Sequence, residues 1–324
     1  MIFVSVIIPT FNCAHYITDA VESVLNQTYN DFEIIVIDDG STDNTRSVLQ
    51  NYIESGKIKY IYQENMGPGA ARNSGIQMAR GDYIAFLDAD DVLLPASLQR
   101  RVRLFEKYPF LDMVFSDVFI ESIEGQGFVQ GFLRKKEFLK KFAKVVEIQD
   151  KGGVVFGEDL YRQMFKPPFM SLTITIMAKR SAFSRVGMFR TDITSHEDKD
   201  MWLRLAENGR VGFIDEPLVI YKNYRSSLTV KDAVRRANNR IKFYNEVLAR
   251  FANDREMCSS VKRRFAWINF DLCKHYRSQK NYGKFILHYT KSLYHNPRDK
   301  DILKYGFASL IPKQIKKIGK LCLK

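Results

Sequence analysis

The chain predicts an α/β fold, a mostly parallel sheet flanked by helices, followed by a C-terminal helical appendage. Three observations carry this. Short apolar, β-branched runs alternate with helix-spaced stripes over roughly the first hundred residues. Each of those runs ends in polar residues, so polar groups converge on one edge of the sheet. Beyond residue 230 the strand signals stop and helical stripes remain.

The elements follow in order. In VSVIIPTFN at 4–12, Val4, Val6, Ile7 and Ile8 form a buried-strand run that Pro9 stops. Tyr16, Ile17, Ala20, Val21, Val24 and Leu25 then fall on one helical stripe. A second strand at 34–37 ends in Asp38, Asp39 and Gly40, and Asp43 is placed to cap the next helix. IKYIYQEN at 58–65 is a third strand, and GPGAARNSGIQMA at 67–79 is a glycine-led turn into a helix. The fourth strand, 83–87, ends in Asp88, Asp90 and Asp91, with the next helix opening at Pro95. MVFSDVFI at 113–120 continues the sheet, 124–132 reads as loop, and 133–146 reads as a basic helix. KPPFM at 166–170 is a turn before a strand at 172–178. In the last third, Tyr244, Val247, Leu248 and Phe251 make one stripe, and Val261, Phe265, Ile268, Leu272 and Tyr276 another.

GDYIAFLDADD at 81–91 is the most informative run. Carboxylates beyond the carboxyl end of a buried strand suit a hard divalent cation, which prefers oxygen ligands and also binds substrate phosphates. This points to a metal–nucleotide site. The competing reading is that Asp90 or Asp91 only caps the following helix.

VSVIIPTFN, IDDGSTDNT, NMGPGAARNSG and FLDADD, in that order, closely resemble glycosyltransferase family 2 with the GT-A fold, a Rossmann-like, mostly parallel sheet. The resemblance covers about residues 1–110 and resumes at SHEDKDMWLRLAENG (195–209) and YKNYRSSLT (221–229). It implies transfer of a sugar from a nucleotide-sugar, with inversion, assisted by Mn2+ or Mg2+. Carried over residue by residue, it implies that Pro9, Thr10 and Asn12 line the nucleotide pocket and that Asp39 accepts the imide N–H of the base. Asn65, Gly69 and Arg72 lie near the nucleotide and diphosphate; Asp88 touches the ribose, with Ala89 beside it, and Asp90 binds the metal. Asp198 is the implied general base, while Glu197, Trp202, Lys222 and Arg225 are candidates for acceptor or diphosphate contact. Trp202 also reads as core packing for its helix. One departure stands out. Many relatives have Tyr-Arg-x-His late in the chain, where this one has Tyr221, Lys222, Asn223 and Tyr224. A tyrosine is a far poorer metal ligand than an imidazole, so the metal would lean on phosphates and water besides Asp90.

The chemistry is coherent on physical grounds alone. Breaking a sugar–phosphate bond develops negative charge on the departing diphosphate, which a cation stabilises. The attacking hydroxyl must lose a proton to a carboxylate within hydrogen-bond reach. One carboxylate cluster for the cation and another, distant in sequence, for the proton meet both needs.

Charge divides the chain. The formal net charge is +13, yet residues 1–230 hold 27 basic and 30 acidic residues, against 23 and 7 in residues 231–324. The expected division is a catalytic domain at 1–230, with a nucleotide-binding half (1–110) and an acceptor-binding half (111–230), and a basic helical region at 231–324. The closing LIPKQIKKIGKLCLK alternates apolar residues and lysines at helical spacing. It suits an anionic membrane surface; a solvated bundle and nucleic-acid binding compete, the last without a recognisable motif. No run of ~18 apolar residues is present, and with strand signal beginning at Val4 no secretory leader is expected. The four cysteines, Cys13, Cys258, Cys273 and Cys322, lack metal-ligand spacing, so a reduced cytosol is the expected compartment.

Together these predict an inverting transferase that moves a sugar, from UDP as the expected carrier, to a surface-polysaccharide or lipid-linked oligosaccharide acceptor at the cytosolic membrane face. A nucleotidyltransferase is the rival enzyme, but PTFNCAHY at 9–16 lacks the glycines and lysine of a phosphate-activating loop. A catalytically inactive nucleotide-sugar-binding scaffold is the rival outside enzymes, and the intact Asp88, Asp90 and Asp198 argue against it.

Overall fold

The computed structural model describes residues 2–121, 128–129, 146–150, 153–157, 160–165, 172–222 and 233–310. The chain divides into two compact units, Met1–Ser227 and Leu228–Lys324. The expectations at 133–145, at 166–170, at Asn223, Tyr224 and Arg225, and at 311–324 lie outside the described residues.

The first unit holds one mixed sheet. Its strands are β1 (Val4–Thr10), β2 (Phe32–Asp39), β3 (Lys59–Gln63), β4 (Tyr83–Phe86), β5 (Val92–Leu93), β6 (Met113–Glu121), β7 (Phe128–Val129), β8 (Val146–Asp150), β9 (Gly153–Phe156), β10 (Ile176–Lys179) and β11 (Val211–Tyr221). The order across the sheet is β3-β2-β1-β4-β10-β6-β11-β9-β8, with β5 on β11 and β7 on β6. β1 pairs in parallel with β2 and β4, and β2 with β3, so the N-terminal half is wholly parallel. β10 enters antiparallel between β4 and β6 and joins the two halves. Parallel strands covered on both faces are largely apolar, and Val4, Val6, Ile7 and Ile8 are all buried; Ser5, buried among them, donates its hydroxyl to Glu33 at 2.7 Å.

Helices α1 (Ile17–Leu25), α2 (Thr45–Val48), α3 (Gln50–Glu54) and α4 (Pro68–Met78) serve the parallel half. α1 buries Ile17, Ala20, Val21 and Val24, four of the six residues on its expected stripe. α4 lies close against β1: a Cβ on Gly75 would meet Ile7 at 2.4 Å, so only glycine permits this approach. Then come α5 (Ser97–Lys107), α6 (Leu160–Met164), α7 (Arg180–Val186) and α8 (Glu197–Asn208).

Three local expectations are corrected. The helix after the aspartate cluster starts at Ser97, not Pro95. Residues 92–93 pair with β11, and the Leu94 N–H donates to the Leu218 carbonyl, which keeps the chain extended for one more step. Part of 124–132 is strand, since β7 pairs with β6 there. Only the second half of 172–178 is strand, because Thr173–Thr175 forms a 3-10 turn. Arg101, wholly buried on α5, explains the turn: its guanidinium donates to the Ile174 carbonyl at 3.1 Å and burial pushes its pKa down to about 9.

The second unit is helical: α9 (Ala233–Arg250), α10 (Arg255–Ser278), α11 (Tyr282–His295) and α12 (Lys300–Leu310). Asp254 caps α10 by accepting from the Glu256 and Met257 amides, both at 3.0 Å. The predicted stripe of Val261, Phe265, Ile268, Leu272 and Tyr276 is buried. α11 keeps Tyr282, Ile286, Leu287 and Tyr294 exposed. Among the described residues, no helix is long and apolar enough to cross a membrane.

Candidate functional site

The carboxyl ends of β1, β2, β3 and β4 carry the polar residues singled out in the sequence. After β1 the chain turns through Asn12, which has φ 53°. Its side-chain oxygen accepts the Thr42 amide at 2.8 Å and the Asp43 amide at 3.3 Å, while its own N–H donates to Ser41. Asn12 therefore stitches the loop after β1 to the loop after β2. Asp43 accepts the Thr45 amide at 3.0 Å, from one residue before Asn44, which stands at the N-cap of α2. Pro9 is half-buried and Thr10 buried at the end of β1.

Asp39 ends β2. One carboxylate oxygen, Oδ1, accepts from Gln63 Nε2 at 2.7 Å and from the Met66 amide at 3.0 Å; the other, Oδ2, accepts from the Gly67 amide at 2.8 Å. Asp39 thus holds the loop that enters α4. Asn65, in that loop, is exposed, and its backbone lies so near Gly40 that a Cβ there would sit 2.9 Å from the Asn65 nitrogen. Gly69 is buried: a Cβ would approach the Arg190 carbonyl to 2.6 Å, so close packing against the segment before α8 demands this glycine.

That segment is tied to α4 by side chains. Asn73 exchanges two hydrogen bonds with the Phe189 backbone, at 2.8 and 2.9 Å. Arg72, one turn of helix from Gly69, is buried. Its Nη2 bonds Asp88 at 3.1 Å, its Nη1 bonds Glu197 at 3.0 Å, and its guanidinium lies 5.6 Å from the Phe189 ring centre. One arginine therefore joins the end of β4 to the start of α8, residues 109 positions apart in sequence. Burial works against its charge, but Asp88, Glu197 and Asp198 more than offset it and raise its pKa.

Glu197 opens α8 behind His196, which adopts a left-handed conformation at φ 73°. Strained backbone of this kind persists only where its surroundings hold it. Burial, followed by repulsion from Asp198, lifts the Glu197 carboxyl to about 7, with Arg72 opposing. Asp198 is half-buried; it accepts the Lys199 amide at 2.6 Å and a long 3.4 Å bond from the Thr173 hydroxyl, on the turn that Arg101 anchors. Burial raises its pKa too, with Arg72 and the Lys199 amide pulling the other way. Trp202 reaches no solvent: it packs 5.6 Å from Phe86 and 5.4 Å from Phe189, centre to centre, as the core of its helix.

The aspartates after β4 divide their tasks. Asp88 faces Arg72, and Ala89 is buried. Asp91, buried, accepts the Lys222 amide at 2.9 Å and so fastens the end of β11; it caps no helix. Burial, then its acidic neighbours, push its pKa well up. Lys222 sends its ammonium to Asp19 on α1, at 2.9 Å. Asp90 is half-buried and takes no hydrogen bond or ion pair from another side chain among the described residues. Burial, then Asp88, raise its carboxyl to about 6. Its own amide and the Lys222 ammonium oppose the rise without cancelling it. Among the described residues, no group of three or more His, Cys, Asp or Glu side chains is gathered at one point.

Gln63, Ser74, Asn73, Phe189 and Thr173 escaped the sequence reading. Gln63 had a usable signal: it is a polar residue at a strand end, in register with Asp39. The others lack one, since their partners are 11 to 116 residues away.

A parallel half-sheet with acidic residues at its edge, bridged to a helix that opens in Glu-Asp, makes an α/β fold similar to that of the GT-A glycosyltransferases. Residues 5–165 match Glycosyl transferase family 2, and the chain belongs to that family. It is 33% identical over 215 residues to an uncharacterized glycosyltransferase of Rickettsia felis, a match covering 66% of this chain and 32% of that protein. The chain thus spans about a third of the length of that curated relative. Its fold is similar to S. aureus TarS 1–349 in complex with UDP-GlcNAc, with TM-score 0.59, 17% identity and coverage of 92% and 93% of the two chains. It is also similar to the mannosyltransferase PcManGT from Pyrobaculum calidifontis in complex with GDP-Man and Mn2+, with TM-score 0.56, 17% identity and coverage of 97% and 82%.

Proposed function

We propose that the chain is an inverting glycosyltransferase that moves a sugar from a UDP-sugar to a hydroxyl of a surface-polysaccharide or lipid-linked oligosaccharide acceptor. The observation that carries this is Arg72, which brings the aspartate-rich end of β4 and the Glu197-Asp198 start of α8 to one guanidinium. The two carboxylate groups the reaction needs are thereby neighbours.

In this reading Pro9, Thr10, Asn12, Asp39, Asn65 and Gly69 shape the nucleotide pocket, with Asp39 accepting from the base. Asp88 and Ala89 lie along the ribose, and Arg72 beside the diphosphate fixes Asp88. The acceptor hydroxyl attacks the anomeric carbon from the face opposite the diphosphate, and its proton passes to an Asp198 oxygen. The sugar–phosphate bond breaks and its electron pair leaves on the nucleoside diphosphate. Mn2+ or Mg2+ held by Asp90 would supply charge stabilisation for that leaving group. Glu197 bonds Arg72 and keeps Asp198 in place, while Lys222 flanks the site beside Asp91. Arg225 is a candidate diphosphate contact in the segment after β11.

The C-terminal region is the proposed contact with an anionic membrane at the cytosolic face. Supporting this are its 23 basic against 7 acidic residues and the exposed Tyr282, Ile286, Leu287 and Tyr294 of α11. A screen of nucleotide-sugar hydrolysis with Mn2+ tests the proposal. Release of UDP from one sugar donor, lost in Asp198→Asn when an acceptor is supplied, is the expected result. No turnover with any nucleotide-sugar refutes it.

A further inference from the structure

The GT-A fold is shared by neighbours crystallised with UDP-GlcNAc and with GDP-Man, so the fold leaves the base undecided. The surroundings of Asp39 bear on that choice. A carboxylate offers about four acceptor positions, two on each oxygen. Oδ1 has both filled, by Gln63 Nε2 at 2.7 Å and the Met66 amide at 3.0 Å. Oδ2 has one filled, by the Gly67 amide at 2.8 Å. One acceptor position remains, on Oδ2.

The Gln63 amide is oriented without ambiguity. A carboxylate only accepts, so the NH2 end must face Asp39. The oxygen end then accepts the Ser74 hydroxyl at 2.6 Å. Gln63 and Asp39 are also opposite partners in the β2–β3 ladder, so the backbone itself sets their approach. The second amide hydrogen of Gln63 has no partner among the described residues.

We infer that Gln63, held by Ser74, selects a pyrimidine-dione base over guanine by occupying the second oxygen of Asp39. This rests on the reading of Asp39 as the acceptor for the base. A pyrimidine-2,4-dione presents one imide N–H flanked by carbonyls. The single open position takes the N–H, and the spare Gln63 hydrogen complements a carbonyl. Guanine presents two adjacent N–H donors, a fork that needs both carboxylate oxygens. With Oδ1 filled, one donor is left buried without an acceptor, which is where hydrogen-bonding sites discriminate most strongly. Gln63 and Ser74 are positioning residues that act through Asp39.

Binding of UDP and of GDP, each with Mn2+, is measured by calorimetry on the full chain, wild type and Gln63→Met, with melting temperatures recorded alongside. The wild type should bind UDP at least roughly tenfold more tightly than GDP, the worth of one hydrogen bond to a charged group. In Gln63→Met the preference should shrink by about the same factor, with GDP gaining, because one acceptor position on Oδ1 is freed while the Met66 amide keeps the other. Ser74→Ala, a milder change, should move the ratio in the same direction. A merely structural role would weaken both nucleotides equally and leave their ratio fixed, and that result overturns the inference. So does equal binding of UDP and GDP by the wild type. If UDP binds but Asp39→Asn leaves its affinity unchanged, or if neither nucleotide binds, the donor-site reading itself fails, and this inference with it.

Discussion

Replacing Arg72 by methionine tests the bridge on which the site depends. The substitution keeps an unbranched stem, shortens the side chain and removes its charge and its hydrogen-bond donors. The Glu197 arm is closed to water, with side chains 7% and 8% exposed, whereas Asp88 is 36% exposed and its arm is weakened by solvent screening. The cost therefore falls on Glu197. Removing one partner of a buried ion pair costs about 3–5 kcal/mol, because the other charge is left without compensation. For a unit of this size, each kcal/mol corresponds to roughly 2–4 °C, so the melting temperature should fall on the order of 10 °C at pH 7.5. The sign of the pH dependence follows from the carboxyls. The Glu197 carboxyl sits near 7 even with Arg72 present, and Asp198 is raised as well. Without Arg72 both rise further, and a protonated carboxyl does not need the guanidinium. The deficit should thus be smallest near pH 5 and grow as pH rises through about 7. Glu197→Gln added to Arg72→Met should recover a good part of the loss. Thermal melts of the wild type, Arg72→Met and the double variant across pH 5–8.5 decide the matter. A single variant that melts within a degree of wild type at pH 7.5, or a deficit that grows on acidification, would refute the reasoning.

Three further outcomes are expected. Asp198→Asn should lower transfer by roughly 10²–10⁴-fold while leaving UDP affinity nearly unchanged, since in the proposed reading the base faces the acceptor; a collapse of UDP affinity in calorimetry would assign Asp198 to the nucleotide instead. Asp90→Asn should remove most Mn2+-dependent turnover and weaken Mn2+ binding to the UDP complex, followed by electron paramagnetic resonance, with the melting temperature retained; near wild-type turnover would remove Asp90 from the metal. Deleting residues 312–324 should weaken co-sedimentation with anionic vesicles and spare turnover on a soluble acceptor, because each basic residue near such a surface contributes about 1 kcal/mol that salt screens; failure of the intact chain to pellet at low salt would leave the basic region as a solvated bundle.

Much of this protein was legible along the chain because its signals are local. The parallel half-sheet announces itself in continuous apolar runs, since strands covered on both faces cannot alternate. The polar strand ends at Thr10, Asp39 and Asp88 fall on one edge because parallel strands all point the same way. Asp43 as a helix-start residue and the buried stripe of α10 were likewise readable within a few residues. The failures were also physical. The helix expected at Pro95 starts at Ser97, after Val92 and Leu93 pair with a strand over a hundred positions later, and LTITIMA surrendered its first half to a turn bonded by a buried arginine.

What the sequence determined alone was the kind of edge this protein presents: which carboxylates stand at strand ends, and that a second acidic pair lies far downstream. Tertiary structure alone decided how those groups divide the work. Asp88, Asp90 and Asp91 are chemically alike and nearly adjacent. Yet one faces Arg72, one is pressed upward in pKa by burial and by Asp88, and one fastens a distant strand. Nothing in their spacing distinguishes them. The distinction comes from what the folded chain brings within hydrogen-bond reach of each, because a carboxylate's role is set by the donors around it and by the water denied to it.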